Sequence, residues 1–364
     1  MFANPFTDAF GLDIGDLSIK LVQLKRVGSS NTKPRFKLLN YRSIELPPGL
    51  IVNGELEKPE EVRKRILRLI AGNKHQKPIK SPWVVASLPE TKSFIKLITV
   101  KKKSDNIIED DIPQIAKKHI PFADNEESYI HHQIIRSGTD TTEILVGTIP
   151  KRIADAYTYL LESVGLGVIS LEIEALALAR AMITADKSYE GESRAILDIG
   201  AARSSLVFFD HGVVQFSTSL PFSGEVLTTA ISQEQKIDPE EAESKKINTG
   251  LIFKKNSPAI WTILMKQTDT LIKQINTAIN FYYSHFPNAN RVKKIILCGG
   301  GSKLAGLDKI IATRLKISVR YGRTWKNLYT TQSLPSDNDS INYATSVGLA
   351  LRAAENPFFP YEIL

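Results

Sequence analysis

The chain lacks the features that tie a protein to an oxidising compartment or a lipid bilayer. Its 364 residues include one cysteine, Cys298, so no disulfide can form within it. No apolar run approaches the roughly 20 residues of a membrane-spanning helix. The start, MFANPFTDAF, has no basic segment and carries Asp8 where a signal peptide would be apolar. These absences predict a cytoplasmic chain.

Several common ligand-binding and catalytic patterns are also missing. The six histidines show no metal-ligand spacing. Neither a Gly-x4-Gly-Lys-Ser/Thr loop nor a Gly-x-Gly-x-x-Gly fingerprint occurs. No Ser-His-Asp or Cys-His arrangement is evident, although such residues need not be neighbours in sequence.

The composition is that of a soluble globular protein with more than one core, at 42% hydrophobic and 24% charged residues. The net charge of +8 is compatible with a nucleic acid or an anionic membrane as partner. The lysines are spread along the chain, however, rather than clustered in one stripe. We therefore interpret the charge as solvated surface and predict no nucleic-acid partner.

A short motif occurs twice, as Leu12-Asp13-Ile14-Gly15 and as Ile196-Leu197-Asp198-Ile199-Gly200. Each copy is an apolar run that ends in Asp-x-Gly, which is typical of a buried strand turning into a hairpin. The repeat indicates a duplicated chain. Two such hairpins facing each other would hold a polyphosphate between them, with each Asp directed at a divalent cation.

Hydrophobic spacing predicts a mixed chain of strands and helices. The predicted strands are 11–26 (with a tight turn), 36–44, 83–86, 94–100, 129–135, 144–149, 196–199, 204–209, 213–220 and 293–298. The predicted helices are 59–71, 107–119, 152–164, 171–183, 225–231, 238–246, 261–286, 307–315 and 341–354. Residues 90–168 have the pattern of a small inserted α+β unit.

Two further patterns suggest a nucleotide. Gly299-Gly300-Gly301 follows the apolar strand and precedes a helix, so a ligand can approach the backbone closely; the alternative is a flexible connector. Glu243 and Lys246 share one helical face and could contact ribose and adenine. Taken alone, the two residues are better explained as a surface ion pair.

Taken together, these segments resemble the actin-like ATPase superfamily. Its ordered motifs are a first phosphate loop, a connecting helix, a second phosphate loop, an adenosine loop and a second connecting helix. Here they correspond to GLDIGDLSIK, EIEALALARA, ILDIGAARSSLVFF, LCGGGSKLAGL and NYATSVGLALRA. The resemblance implies an α/β fold of two lobes, each a ribonuclease-H-like domain of duplicated origin, with ATP and Mg²⁺ in the cleft.

Within that superfamily the chain most resembles the PilM family of type IV pilus assembly proteins. KKHIPF, EILVGTIPKRIADAYTYLLESVGL and the A-E-x-x-K element Ala242 to Lys246 carry this likeness. It implies a scaffold at the inner face of the cytoplasmic membrane. The scaffold would bind the cytoplasmic N-terminal tail of a PilN-like single-pass protein, in a groove between the first lobe and the inserted unit. Contact with pilus motor ATPases and self-association are left open.

The resemblance also implies subdomain boundaries. They are 1–89 (first lobe), 90–168 (inserted unit), 169–192 (first lobe, connecting helix), 193–224 (second lobe), 225–290 (helical subdomain), 291–340 (second lobe), and 341–364 (second connecting helix and tail).

It assigns site residues as well. Asp13 and Asp198 would hold Mg²⁺ through waters. The first phosphate loop would be lined by Gly15, Asp16, Ser18 and Lys20, and the second by Gly200, Ala201, Arg203 and Ser204. Ser223 and Gly224 would approach the α-phosphate or ribose, Glu243 and Lys246 the ribose and adenine, with Gly299, Gly300, Gly301 and Ser302 beneath. Glu174 stands where superfamily hydrolases orient a water, or is simply an acid at a helix start.

Two positions depart from the usual pattern. Asp16 would repel a phosphate unless Lys20 or a metal ion intervenes, and Ser223 replaces a common glycine. These changes leave nucleotide binding in place and leave hydrolysis open. The alternatives are a filament-forming, FtsA-like membrane tether and a small-molecule kinase on the same fold. The C-terminus has no basic amphipathic helix for a tether, and the inserted unit has no suitable carboxylate loop for a kinase.

Overall fold

The computed structural model describes residues 4–28, 35–101, 111–119, 126–185, 187–253, 255, 257–330 and 332–355. Its strands are β1 (Phe10–Ile14), β2 (Ser18–Val27), β3 (Arg35–Glu45), β4 (Ile51–Val52), β5 (Glu55–Leu56), β6 (Trp83–Leu88), β7 (Phe94–Val100), β8 (Ser128–Ser137), β9 (Thr142–Pro150), β10 (Gly167–Ile173), β11 (Ser193–Ile199), β12 (Ser204–Asp210), β13 (Val213–Leu220), β14 (Val292–Cys298) and β15 (Ser318–Tyr321). Predicted helical residues 107–110, residues 120–122 of KKHIPF and the tail 356–364 lie outside the described ranges.

The helices are α1 (Pro59–Ala71), α2 (Ile112–Lys117), α3 (Lys151–Ser163), α4 (Glu174–Met182), α5 (Gly224–Gln235), α6 (Pro239–Thr249), α7 (Pro258–His285), α8 (Leu307–Leu315), α9 (Asp337–Ser340) and α10 (Ala344–Ala354). Most lie where the hydrophobic spacing predicts them. In the described part of the chain, no helix combines the length and the apolar character needed to cross a bilayer.

Two sheets repeat one strand arrangement. The first has the order β10-β6-β1-β2-β3, and the second contains β15-β14-β11-β12-β13. In each, three parallel strands are followed by two antiparallel ones. The shared topology confirms the duplication indicated by the repeated Asp-x-Gly motif.

The two hairpins match in register. Asp13 lies opposite Lys20 on β2, and Asp198 lies opposite Ser205 on β12. Both turns are closed by a glycine N–H that donates to a backbone carbonyl, from Gly15 to Ser18 at 3.0 Å and from Gly200 to Arg203 at 2.8 Å. Each Asp therefore lies one residue before the end of a buried strand. Asp13 is next to the carboxyl end of the parallel strand β6, and Asp198 is next to that of β14.

The segment between β6 and β10 contacts both halves of the molecule. Its strands continue the second sheet in the order β13-β7-β9-β8, joined through Phe216 opposite Lys96. Its helix α3 instead packs into the core of the first sheet, with Ile153, Tyr157 and Leu161 buried. The subdomain boundaries themselves stay a prediction.

The predicted helix 171–183 was wrong at its start. Residues 171–173 form the end of β10, paired in parallel with Ala86, Ser87 and Leu88 of β6. Helix propensity is a weak preference, and ladder pairing at the edge of the sheet outweighs it here. The remaining helix, α4, is buried almost all round as expected and crosses α10, where Gly348 lies against the backbone of Ala177.

Candidate functional site

The two hairpin turns face each other across a polar cavity of about 70 Å³. Eleven predicted site residues line it, namely Asp13, Gly15, Asp16, Ser18, Lys20, Glu174, Asp198, Gly200, Ala201, Arg203 and Ser204. These residues are far apart in sequence, and the matched ends of the two sheets bring them together. We call this cavity the cleft.

The cleft is strongly acidic. Its carboxylates are those of Asp13, Asp16, Glu90, Glu174 and Asp198, and its cations are Lys20 and Arg203. Lys20 Nζ lies 3.5 Å from Asp13 Oδ2, and Ser87 Oγ donates to Asp13 Oδ1 at 3.3 Å. A polyanion entering the cleft therefore meets an excess of negative charge unless a cation enters with it.

Arg203 joins both turns to the start of α4. Its Nη1 lies 3.1 Å from Asp16 Oδ1, and its Nη2 lies 3.2 Å from Glu174 Oε1. The sequence suggested Lys20 or a metal ion as the group that offsets the charge of Asp16; in the structure Arg203 does so, and Lys20 pairs with Asp13. The cause is the fold, because the second turn is held directly against the first. We call these three side chains the Arg203 cluster.

Burial raises the pKa of three carboxyl groups in the cleft. It raises the pKa of Glu174 to about 8 in spite of Arg203, and that of Glu90 to about 7. Burial, with the nearby charge of Asp13, raises the pKa of Asp198 to about 6. Burial disfavours the charge of Arg203, but Glu174 and Asp16 outweigh this and raise its pKa above the ordinary range. Perturbed groups gathered in one cavity are typical of functional sites.

These shifts predict that the ligand-free chain loses stability as the pH rises from 5.5 to 8.5. Asp198, Glu90 and Glu174 hold more protons folded than unfolded, so their stabilisation is complete below about pH 4 and is lost as the pH passes their folded pKa values of about 6, 7 and 8. Desolvation lowers the pKa of His119, which acts weakly in the opposite sense. Together the three acids should lower the free energy of unfolding by about 6 kcal/mol across this window, at about 1.4 kcal/mol for each pKa unit; urea titration measures it. Glu174→Gln should reduce the change in the free energy of unfolding over the upper half of this pH range. A free energy of unfolding that rises from pH 5.5 to 8.5 would contradict the raised pKa values.

The triple glycine lies against the second turn. A Cβ on Gly299 would come within 2.4 Å of Asp198 Oδ1, and one on Gly301 within 2.4 Å of Ile199 Cγ2. These two positions therefore require glycine because of contacts inside the protein. Gly300 has room, with the side chain of Asn342 as its nearest neighbour at 3.5 Å. Asn342 Oδ1 is buried and has no hydrogen-bond partner in the described chain.

Three predicted hydroxyls are engaged elsewhere. Ser204 Oγ donates to Phe222 O at 2.5 Å, and Ser302 Oγ donates to Gly299 O at 2.6 Å. Ser223 Oγ accepts from Val226 N at 3.1 Å and caps α5. These serines shape the loops around the cleft.

Glu243 and Lys246 lie beside the cleft rather than in its wall. Lys246 Nζ is 2.6 Å from Glu243 Oε2 and donates to Gly224 O at 3.0 Å and to Thr228 Oγ1 at 2.9 Å. This pair is therefore a link between α5 and α6 that holds Gly224 next to the second turn.

Sequence reasoning missed four polar residues of the wall or its support, besides the apolar wall residues Leu17 and Ala202. The four polar residues are Ser87, Glu90, Ser205 and Thr345. Ser87 lies at the end of β6 and Glu90 just after it. Because β6 pairs in parallel with β1, its carboxyl end reaches the same edge of the sheet as Asp13. Ser205 Oγ is buried and has no partner within the described residues.

A second, larger depression lies between α3, β8 and β9 on one side and β10 and α4 on the other. This groove has a volume of about 910 Å³. Its apolar lining includes Leu145, Ile149, Ile169, Leu171, Ile173 and Leu176, and Arg352 borders it. Within the described ranges, no group of three or more His, Cys, Asp or Glu side chains is placed to hold a metal ion, in the groove or elsewhere.

Comparison of the sequence with known families matches residues 11–354 to the family described as type IV pilus assembly protein PilM. The cell division protein FtsA of Buchnera aphidicola is 24% identical over 213 residues, which cover 52% of this chain and 50% of that protein. The chain thus spans about half the length of this curated relative.

Solved structures share the fold over nearly the whole chain. A PilM-PilN type IV pilus biogenesis complex gives a TM-score of 0.77 at 22% identity, covering 96% of this chain and 100% of the other. The ethanolamine utilization protein EutJ from Carboxydothermus hydrogenoformans gives 0.55 at 14% identity over 94% and 88%. MreB5 of Spiroplasma citri bound to AMPPNP gives 0.54 at 12% identity over 94% and 95%. The chain has the two-lobed actin-like ATPase fold.

Proposed function

The chain belongs to the type IV pilus assembly protein PilM family, and from this premise we propose that it is an ATP-binding scaffold of the pilus assembly platform at the cytoplasmic membrane. Its cleft would bind ATP with Mg²⁺, and its groove would bind the cytoplasmic tail of a PilN-like membrane protein. Membrane association would then be peripheral and would run through that partner.

The observation that carries the nucleotide proposal is the convergence of both Asp-x-Gly turns and the triple glycine on one cleft. The residues present fit the ligand. Gly300 leaves the backbone open beside the unpartnered amide oxygen of Asn342, and Ser205 adds an unpartnered hydroxyl in the wall. MreB5, which has the same fold, binds AMPPNP.

The charge of the cleft supports a magnesium complex of the nucleotide over the free nucleotide. Asp13 and Asp198 would hold the ion through water molecules, since no cluster in the described chain offers direct ligation by three side chains. Lys20 and Arg203 would meet the phosphates. When bound, Mg²⁺ neutralises phosphate charge. We propose binding as the function, and hydrolysis is not part of the proposal.

The nucleotide proposal predicts micromolar binding of MgATP that depends on Asp198. Asp198→Ala should weaken it by about 1–3 kcal/mol, the value of a lost charged contact, and EDTA should weaken wild-type binding similarly. Isothermal titration measures both. Asp269→Ala, which changes a half-exposed aspartate paired with Arg314, is the matched control. Absence of binding to the wild type, or equal binding by Asp198→Ala, argues against the site.

The groove carries the partner proposal because it combines an apolar lining with a volume of about 910 Å³. The related complex contains PilN. The buried hydroxyl of Thr148 in its lining has no partner among the described residues, which suits a peptide that supplies one. Burying a polar atom without a partner is costly, so a ligand that satisfies it gains affinity.

Adding bulk and charge inside the groove should abolish partner capture. Thr158 on α3 lines the groove, whereas its neighbour Tyr159 is 76% exposed and lies outside it. We expect Thr158→Arg to lose at least about tenfold in affinity for the tail of the PilN-like protein of the same organism, and Tyr159→Arg to bind normally. Immobilised tail peptide and purified full chain suffice for the measurement. No retention of the wild type with or without nucleotide would remove the partner proposal.

A further inference from the structure

Basic side chains from distant segments meet on one face of the second sheet, near the amino ends of β11 and β14. Arg194 on β11 lies directly beside Lys294 on β14. Arg320 on β15 lies beside Ile296, two residues further along β14. Residues two apart on a strand share a face, so these three cations project from the same side of the sheet. We call the full set the basic cluster; it consists of Lys187, Arg194, Lys294, Arg320, Arg323 and Lys326.

The basic cluster carries more positive charge than its neighbours balance. Glu192 pairs with Arg194. Asp337 Oδ2 lies 3.6 Å from Arg323 Nε. In the part of the chain that the structure describes, no carboxylate lies within ion-pair distance of the other four cations. Like charges side by side in a sheet repel each other, so the adjacent side chains of Arg194 and Lys294 cost the fold some stability.

The positive charges of the cluster act on its lysines. Burial, together with Arg194 and Arg320, lowers the pKa of Lys294. Burial, together with Arg194 and Arg323, lowers the pKa of Lys326 to about 8. An anion bound among these groups would offset the repulsion and favour the charged form of both lysines.

Arg194 offers a buried donor that the protein does not use. Its residue is 6% exposed, and its Cζ lies 4.0 Å from the centre of the Tyr189 ring. Lys187 Nζ lies 5.5 Å from the centre of the same ring. The Nε of Arg194 is buried and has no hydrogen-bond partner among the described residues. Leaving a charged donor buried without an acceptor is costly, so a ligand that supplies an acceptor oxygen gains affinity.

We propose that the basic cluster is a binding site for a phosphate group. A phosphate group combines negative charge with several acceptor oxygens, and arginine is well suited to bind it. The site is separate from the cleft. Arg194 and Asp198 are four residues apart on β11, which is about 13 Å along a strand.

Two sources carry this chemistry, namely the headgroups of anionic phospholipids and free phosphate compounds. Lys187, Arg320 and Arg323 are exposed and extend the cluster to the protein surface. Exposed basic residues are attracted to an anionic bilayer. We therefore expect the headgroups to be the source, which would give the chain a direct contact with the membrane beside its partner.

The first experiment measures binding of the purified full chain, without nucleotide, to sedimented vesicles. We expect binding to an equal mixture of phosphatidylcholine and phosphatidylglycerol, and none to phosphatidylcholine alone. Lys294→Gln should bind the mixed vesicles about fivefold more weakly, the effect of one basic residue near an anionic surface. Lys293→Gln is the matched control, because Lys293 is exposed and lies next to Lys294 on the opposite face of β14. Lys294→Gln removes a like-charge contact, so it should unfold at no lower urea concentration than the wild type.

The second experiment tests free phosphate compounds. Thermal unfolding is followed in pyrophosphate and in sodium chloride of equal ionic strength, with EDTA present so that no divalent cation enters the cleft. If the source is free phosphate, pyrophosphate should raise the Tm of the wild type and of Lys293→Gln by more than that of Lys294→Gln.

The two experiments together decide the proposal. Vesicle binding that depends on Lys294 assigns the site to headgroups, and stabilisation by pyrophosphate without vesicle binding assigns it to a soluble phosphate compound. The absence of both effects overturns the proposal, as do equal effects of Lys293→Gln and Lys294→Gln. Binding of polyglutamate in place of both phosphate sources would assign the cluster to an acidic protein and would also overturn it. Since neither experiment uses ATP or the tail of the PilN-like protein, its failure leaves the proposed function untouched.

Discussion

Replacing Arg203 with alanine is expected to destabilise the fold and to remove most of the nucleotide affinity. Arg203, Asp16 and Glu174 are 16%, 8% and 9% exposed, so the substitution leaves two buried carboxyl groups without their cation. Breaking a buried pair from one side costs about 3–5 kcal/mol. Loss of a charged phosphate contact should weaken MgATP about 100-fold, close to 3 kcal/mol. Urea unfolding and isothermal titration measure the two effects separately.

A neutralised background separates the structural role of Arg203 from its role in binding. In Asp16→Asn/Glu174→Gln/Arg203→Ala no buried charge is orphaned, so most of the stability should return while nucleotide affinity stays low. Arg323→Ala is the control. Arg323 is 77% exposed and its Nε lies 3.6 Å from Asp337 Oδ2. Loss of this surface pair should lower the free energy of unfolding by about 0.5 kcal/mol at most. If Arg203→Ala unfolds at the same urea concentration as the wild type, the ion pairs of the Arg203 cluster contribute nothing to the stability of the fold.

Replacing Gly348 with valine is expected to disrupt the crossing of the two connecting helices. A Cβ at this position would lie 1.9 Å from the carbonyl oxygen of Ala177 and 2.5 Å from its carbonyl carbon. These are backbone atoms, so α10 must move away from α4 to make room. Overpacking of this kind costs about 3 kcal/mol, and the cost should increase from alanine to valine. Thermal and urea unfolding of the two variants check this series.

A second substitution shows whether the clash is with the backbone. Ala177→Gly removes a methyl group but leaves the carbonyl in place, so Gly348→Ala/Ala177→Gly should be no more stable than Gly348→Ala. Glycine inside a helix adds a cost of its own, about 1 kcal/mol. Rescue by Ala177→Gly would mean that side-chain volume, rather than helix separation, limits this position. We also expect Gly348→Val to lower MgATP affinity, because α4 carries Glu174 of the Arg203 cluster.

The likeness to actin-like proteins followed from short local patterns, for a physical reason. A buried strand that turns sharply needs apolar residues, then a polar residue and glycine, and this requirement is written in consecutive positions. The same holds for the apolar strand and triple glycine at 292–301. The caps at Ser223 of α5 and Asp238 of α6 are also local, because each side chain accepts a hydrogen bond from the backbone N–H three residues on.

Where the sequence was ambiguous, contacts between distant segments decided. Residues 171–173 have a helical pattern but pair with β6 as a strand, because the edge of the sheet offered hydrogen bonds that the helix did not. Glu243 and Lys246 are suitably spaced for a ligand, yet Lys246 bonds to Gly224 on α5. The spacing of residues along one helix indicates which side chains share a face, but it does not indicate what that face contacts.

The sequence by itself determined that the chain is duplicated, that each half carries an Asp-x-Gly hairpin, and that it belongs with the actin-like pilus assembly proteins. Those properties depend on neighbouring residues and on periodicity, which the order of amino acids states directly. Only the tertiary structure decided that Arg203 offsets Asp16, that Gly299 and Gly301 are required by the second turn, and that Tyr157 is linked to Asp16 through Gly54. Each of these depends on which surfaces the two sheets bring together, and no local pattern encodes a contact between residues so far apart in the chain.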